Sequence, residues 1–195
     1  MENRHSVTGL LMIFIGTGFL TTMMLAAAIA EDYNFTDSAI SDLGVEPATR
    51  AIFNIVLIFV GLLNMSAGYL LYIDHQRKGL LVTYFIAGIG AIGTGIFPLN
   101  TGGIHSLFAL SAFIFFNIQT LMSTPIIENI VFKIISILFG SIGLLYVVIM
   151  FIGDNGLTEV FAFIGHGGSE RMIVYPPMMW LIIMGGYLLG KNHSS

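Results

Sequence analysis

The sequence predicts an all-α fold, a single polytopic bundle of six transmembrane helices that takes up residues 1–195 as one integral membrane domain. Three observations predict it. The chain is 56% hydrophobic and only 9% charged, with a mean hydropathy of +0.91, whereas a soluble domain is about 25% charged. Crossing a bilayer core takes about 20 apolar residues, and about six such runs consume nearly the whole chain. Only short polar or Gly/Pro-bearing connectors separate the runs.

The first helix spans about Val7 to Ile29, after Arg4 and His5. No small-residue cleavage pattern followed by a hydrophilic segment accompanies it, so it reads as a retained span rather than a removed signal peptide. The loop Ala30–Pro47 holds Glu31, Asp32, Asp37, Asp42 and Glu46 and no Lys or Arg. The second helix covers about Ala48 to Tyr72, and Asp74–Lys78 forms a short basic turn. The third runs from about Leu80 to Phe97 and stops at Pro98, which cannot continue the backbone ladder. The connector Leu99–Gly103 leads to the fourth, about Ile104 to Met122; Pro125 marks the next turn, and the fifth covers about Asn129 to Ile152. The segment Gly153–Gly168 is glycine-rich, with Gly165–Gly168 read as a flexible connection. The sixth helix runs from about Ser169 to Gly190, with a kink expected at Pro176 and Pro177.

Basic residues orient the bundle. Arg4, Arg77, Lys78, Lys133 and Lys191 fall on one set of ends, and only Arg50 and Arg171 on the other. The chain reads as a multi-pass cell-membrane protein, and five against two predicts both termini cytoplasmic. Eight of the eleven Asp and Glu then lie on the non-cytoplasmic side. The same assignment gathers three polar clusters there: the Ser41-Asp42 loop, the Asn100–His105 connector and the Gly165–Arg171 segment.

Helix faces follow from three- and four-residue spacing. Arg50, Asn54, Gly61, Asn64 and Gly68 share a face of the second helix; Ala87, Ala91 and Gly95 one of the third. His105, Ala109, Ala112, Phe116 and Gln119 share one of the fourth, and Ser136, Gly140 and Gly143 one of the fifth. Small residues let helices approach closely in lipid, so these faces should point inward. Asn54, Asn64 and Asn117 read as interhelical hydrogen-bonding residues.

Composition also excludes. With no cysteine there is no disulfide, thiol nucleophile or cysteine metal site. A net charge of −4 without clustered Lys or Arg gives no reason to expect a nucleic-acid partner. No cofactor motif is present, and His105, His166, Asp42 and Glu170 lack the spacing of a metal site on one helix. There is no Gly-x-Ser-x-Gly elbow, and Ser106 adjoins His105, so the two do not face each other on a helix.

His105 opens the fourth helix on its small-residue face, either as a base or ligand-binding group in a cavity or as an interfacial histidine bonded to a loop carbonyl. Asp42, Glu170, Arg50 and Arg171 could form an ion-paired cluster. Its arginines would then either receive a phosphate or carboxylate head group or simply lock loops onto the bundle. Ser41, Asn54 and Asn100 complete the candidate ligand set. Asn34-Phe-Thr36 fits a glycosylation acceptor on the predicted outer side.

At Ile40-Ser-Asp-Leu-Gly44, followed by Pro47 and Phe53-Asn54, the sequence resembles the membrane proteins of domain-of-unknown-function family 998. More distantly it is similar to the superfamily of damage-regulated autophagy modulators and GPI-anchor lipid-remodelling proteins. The histidine before a Phe-rich run (His105 to Phe116) and the Glu170-Arg171 pair carry the same resemblance. It implies an archaeal or bacterial six-helix protein with motif residues gathered on the non-cytoplasmic side, and raises the prior for a lipid ligand. It implies no reaction.

The leading expectation is therefore a membrane protein that binds a membrane lipid or polar head group in an outward-facing cavity. The alternatives are a lipid hydrolase or acyltransferase using His105 as base with Asp42 orienting it, and a small transporter or channel subunit using Asn64 and Gln119. No motif specifies an oligomeric state.

Overall fold

The computed structural model describes residues 2–191, with side chains from Arg4 onward. It holds six long helices: α1 (Glu2–Ile29), α2 (Arg50–His75), α3 (Lys78–Ile96), α4 (Gly103–Met122), α5 (Ile130–Asp154) and α6 (Gly165–Lys191). All six coincide with segments long and apolar enough to cross a membrane. Each helix packs on the next, and α6 returns to α1, so the bundle closes into a ring. The inward faces are those that the spacing predicts, with one exception: Arg50 is exposed at the start of α2.

Two boundaries differ from the sequence reading for a physical reason. Arg4 and His5 are helical because their side chains reach Asp74 at the far end of α2, at 2.7 and 3.5 Å. That contact extends α1 by a turn beyond its apolar run. Gly165–Gly168 is not a flexible connection but the first turn of α6.

Inside lipid, backbone and side-chain polar groups must find partners within the protein. Asn64 and Gln119 exchange amide hydrogen bonds at 3.0 Å in both directions, and Asn64 also donates to the Tyr84 carbonyl. One wholly buried amide pair thus ties α2, α3 and α4. Trp180 is buried and donates to Ser136 Oγ at 2.6 Å, fastening α6 to α5. Pro176 and Pro177 lie within α6, which continues across them. Pro177 has no N–H for the Ile173 carbonyl four residues back. Asn117 of α4 takes that place, donating to Ile173 O at 3.0 Å.

This substitution of a side-chain donor for a missing backbone donor is testable by a double-mutant cycle. Asn117→Ala should cost about 1 kcal/mol in reversible unfolding from mixed micelles. In a Pro177→Ala background, where a backbone N–H reaches Ile173 O, the same change should cost clearly less. Equal costs in both backgrounds would mean that Asn117 acts through packing alone.

Candidate functional site

The site lies at the end of the bundle where the connection from α1 to α2 folds over the start of α6. That connection begins with an Asx turn, Asn34 Oδ1 accepting from Thr36 N at 2.9 Å, and then forms a 3₁₀ turn over Ile40–Gly44. Every residue of Ser41-Asp-Leu-Gly44 has a structural duty. Asp42 caps its own turn, Oδ2 accepting from Ala39 N at 2.8 Å. Leu43 plugs into the core at 1% exposure. A Cβ on Gly44 would sit 2.9 Å from Asn54 Oδ1 and 3.1 Å from the Phe53 ring, so only glycine lets α2 approach. Asn54 returns a hydrogen bond to Gly44 O at 3.0 Å. Ser41 donates to Glu170 Oε1 at 3.3 Å.

Two consecutive side chains of α6 grip this connection by opposite polarities. Glu170, 3% exposed, accepts from the backbone N–H of Ile40 as well as from Ser41. Arg171 donates to the carbonyls of Phe35 (2.8 Å) and Ser38 (3.2 Å) and to Tyr33 Oη (2.5 Å). Its guanidinium also lies over the Phe35 ring, 4.5 Å from the centroid. Burial pushes the Tyr33 phenol up to about 12, against the opposing pull of Arg171. Its hydroxyl therefore keeps the proton that it donates to Ala39 O at 3.0 Å. Thr36 O accepts from Gly167 N (2.8 Å), and Gly167 is required because a Cβ there would collide with Ser38 O.

Beside this latch a cavity of about 360 Å³ opens between α4, α5 and α6. Ser41, His105, Ser106, Asp154, His166 and Glu170 make its polar end; Leu110, Phe113, Val147, Met150 and Phe151 form an apolar wall along α4 and α5. His105 is 3% exposed, and its Nδ1 lies 2.8 Å from Phe97 O. A carbonyl only accepts, so Nδ1 carries the hydrogen, and in the neutral ring Nε2 keeps its lone pair. Asp154 and His166 pair at 3.2 Å across the rim. Ser41 and Glu170 also border a second, apolar cavity of about 50 Å³ that reaches into the core toward Phe19, Phe53 and Phe116.

The structure brings Ser41, His105 and Glu170 from three separate segments to one cavity, and leaves the other candidates elsewhere. Asp42 and Asn54 support the 40–44 turn, Asn100 is exposed in the α3–α4 connector, and Arg50 is exposed. The ion-paired cluster of Asp42, Glu170, Arg50 and Arg171 does not form: among the described residues no salt bridge joins them. Backbone groups satisfy three of the four instead. The pairing of His105 with Asp42 is likewise replaced by the Phe97 carbonyl. Among the described residues, no three His, Asp or Glu side chains assemble as a metal-binding group. Sequence reasoning missed Tyr33 and Asp154 and the contribution of α5. The one available signal was that Asp154 ends the most apolar helix.

A family model described as "Protein of unknown function (DUF998)" matches residues 9–187. No curated protein and no solved structure matches the chain.

The grip of Arg171 predicts a local effect. Arg171→Ala strips the partners from two loop carbonyls and should cost about 2 kcal/mol, with faster amide exchange over residues 33–40. Arg171→Lys, which keeps the charge and loses the fork, should fall between the two. Exchange in that segment unchanged by Arg171→Ala would show that Glu170 and the Gly167–Thr36 backbone bond hold the loop without Arg171.

Proposed function

The chain belongs to the DUF998 family, whose description assigns no activity, and we propose that this multi-pass membrane protein binds a lipid-like amphiphile in the α4–α5–α6 cavity. One observation carries the reading: the cavity is polar at Ser41, His105 and Glu170 and apolar along Leu110, Phe113, Val147 and Met150. A polar head with a hydrocarbon tail matches that division, because each end finds its own kind of surface. Half of that wall lies on α5, the helix with the smallest buried share among the six, so the tail has a short route to the bilayer.

A lipid-modifying enzyme is the second reading. Its support is His105, whose ring is fixed through Nδ1 and whose Nε2 has no hydrogen-bond partner among the described residues. In that case His105→Ala would abolish turnover of a lipid ester while the protein stayed folded. The transport reading is weaker, since the amides of Asn64 and Gln119 are engaged by each other and by Tyr84 O rather than lining a path.

Native mass spectrometry with lipid identification tests binding directly. Wild type in mild detergent should retain a stoichiometric amphiphile, and Met150→Trp, which fills the apolar wall, should lose it without loss of stability. Retention by Met150→Trp, or no specific lipid in wild type, would sink the proposal.

We also place the cavity mouth on the non-cytoplasmic side, on the strength of the five basic residues at the opposite ends against two here. The cysteine-free chain makes this simple to check with an impermeant maleimide on intact cells. A single Glu31→Cys should label and Gln76→Cys should not; the reverse pattern would invert the topology.

A further inference from the structure

We infer that the cavity selects an amphiphile with a positively charged, hydrogen-bond-donating head, an alkylammonium rather than a phosphate or carboxylate. This rests on the amphiphile reading of the same cavity and specifies its ligand.

The ionisable groups that line the cavity are Glu170, Asp154, His105 and His166. Among the described residues no Lys or Arg lines it. Arg171 follows Glu170 in the chain, but its two terminal nitrogens are committed to Phe35 O, Ser38 O and Tyr33 Oη. Arg50 is exposed and outside the lining. An anionic head would therefore meet carboxylates with no fork to receive it, whereas the usual phosphate site is built from free Arg or a row of free amides.

Hydrogen-bonding capacity points the same way. Ser41 gives its proton to Glu170, and His105 gives its Nδ1 hydrogen to Phe97 O. What Ser41, His105 and Glu170 leave for a ligand is a set of acceptors: the carboxylate of Glu170, the hydroxyl oxygen of Ser41 and Nε2 of His105. An ammonium brings three donors and no acceptor.

The surroundings supply an independent reason. Eight of the eleven carboxylates, but only two of the seven Lys and Arg, lie at this end of the bundle. Such a field concentrates cations at the mouth and repels anions.

The test compares hexadecylamine, hexadecanol and hexadecanoic acid, equal in chain length and differing in head charge, by native mass spectrometry of the detergent-solubilised protein near neutral pH. The amine should bind tightest and the acid weakest, with a gap of about tenfold or more. Glu170→Gln, which keeps an acceptor for Ile40 N–H, should shrink that gap. Asp154→Asn on the exposed rim should shrink it less and leaves the latch untouched. An acid that binds as well as the amine overturns the inference. If all three then bind alike and Met150→Trp displaces all three, only the charge selection fails. Should Met150→Trp displace none of them, the amphiphile cavity fails with it.

Discussion

The structure at the cavity end of the bundle depends on how Glu170 and Arg171 divide one irregular loop between them. The connection from α1 to α2 is long for a segment with so little regular structure, and such a segment exposes N–H and C=O groups that need partners. The carboxylate takes N–H from Ile40 and hydroxyl from Ser41, and the guanidinium takes the carbonyls of Phe35 and Ser38. Neither residue could serve both kinds of group. Because the two side chains are adjacent at the start of α6, they fix both halves of the loop to one rigid element. The 40–44 turn so held sets Ser41 at the border of both cavities.

The rest of the bundle follows the same rule of internal satisfaction at greater depth. Apolar contact alone cannot choose among helix arrangements in lipid, where every neighbour is hydrocarbon. Asn64 with Gln119, Asn117 with Ile173 O, and Trp180 with Ser136 each link a different set of helices. Each would leave a polar group stranded in any other register. At the far end Asp74 receives Arg4 and His5, fastening α1 to α2. Together these contacts specify the ring order that composition leaves open.

The six helices were legible because a bilayer demands long apolar runs, and composition reveals such runs directly. The inward faces were legible from small-residue spacing, as Gly61, Ala87, Ala91, Gly140 and Gly143 illustrate. The meeting of Ser41, His105 and Glu170 followed from the alternation of spans, which returns every second loop to the same end. The use of the charges was not legible. Formal charge suggested that Arg171 would meet a carboxylate, yet its neighbours are backbone carbonyls, which carry no signature in a sequence. Asp154 and His166 lie twelve positions apart across a connector whose path no spacing rule gives.

A conspicuous motif and a functional group are different things here. Ser41-Asp-Leu-Gly44 is the most distinctive stretch in the chain, but Asp42, Leu43 and Gly44 are used up in making and seating one turn. A residue whose bonds are all spent on folding has nothing left to offer a ligand. By that criterion the informative positions are those with capacity remaining at the cavity. His105 qualifies, with one nitrogen anchored and the other unpartnered. Glu170 qualifies in part, since a carboxylate has about four acceptor positions and the loop takes two. Both side chains are buried at the polar end of the cavity, so the capacity they keep faces the space a ligand would enter. A ligand that supplies donors would meet both residues at once, and the partial exclusion of water around them would strengthen each such bond.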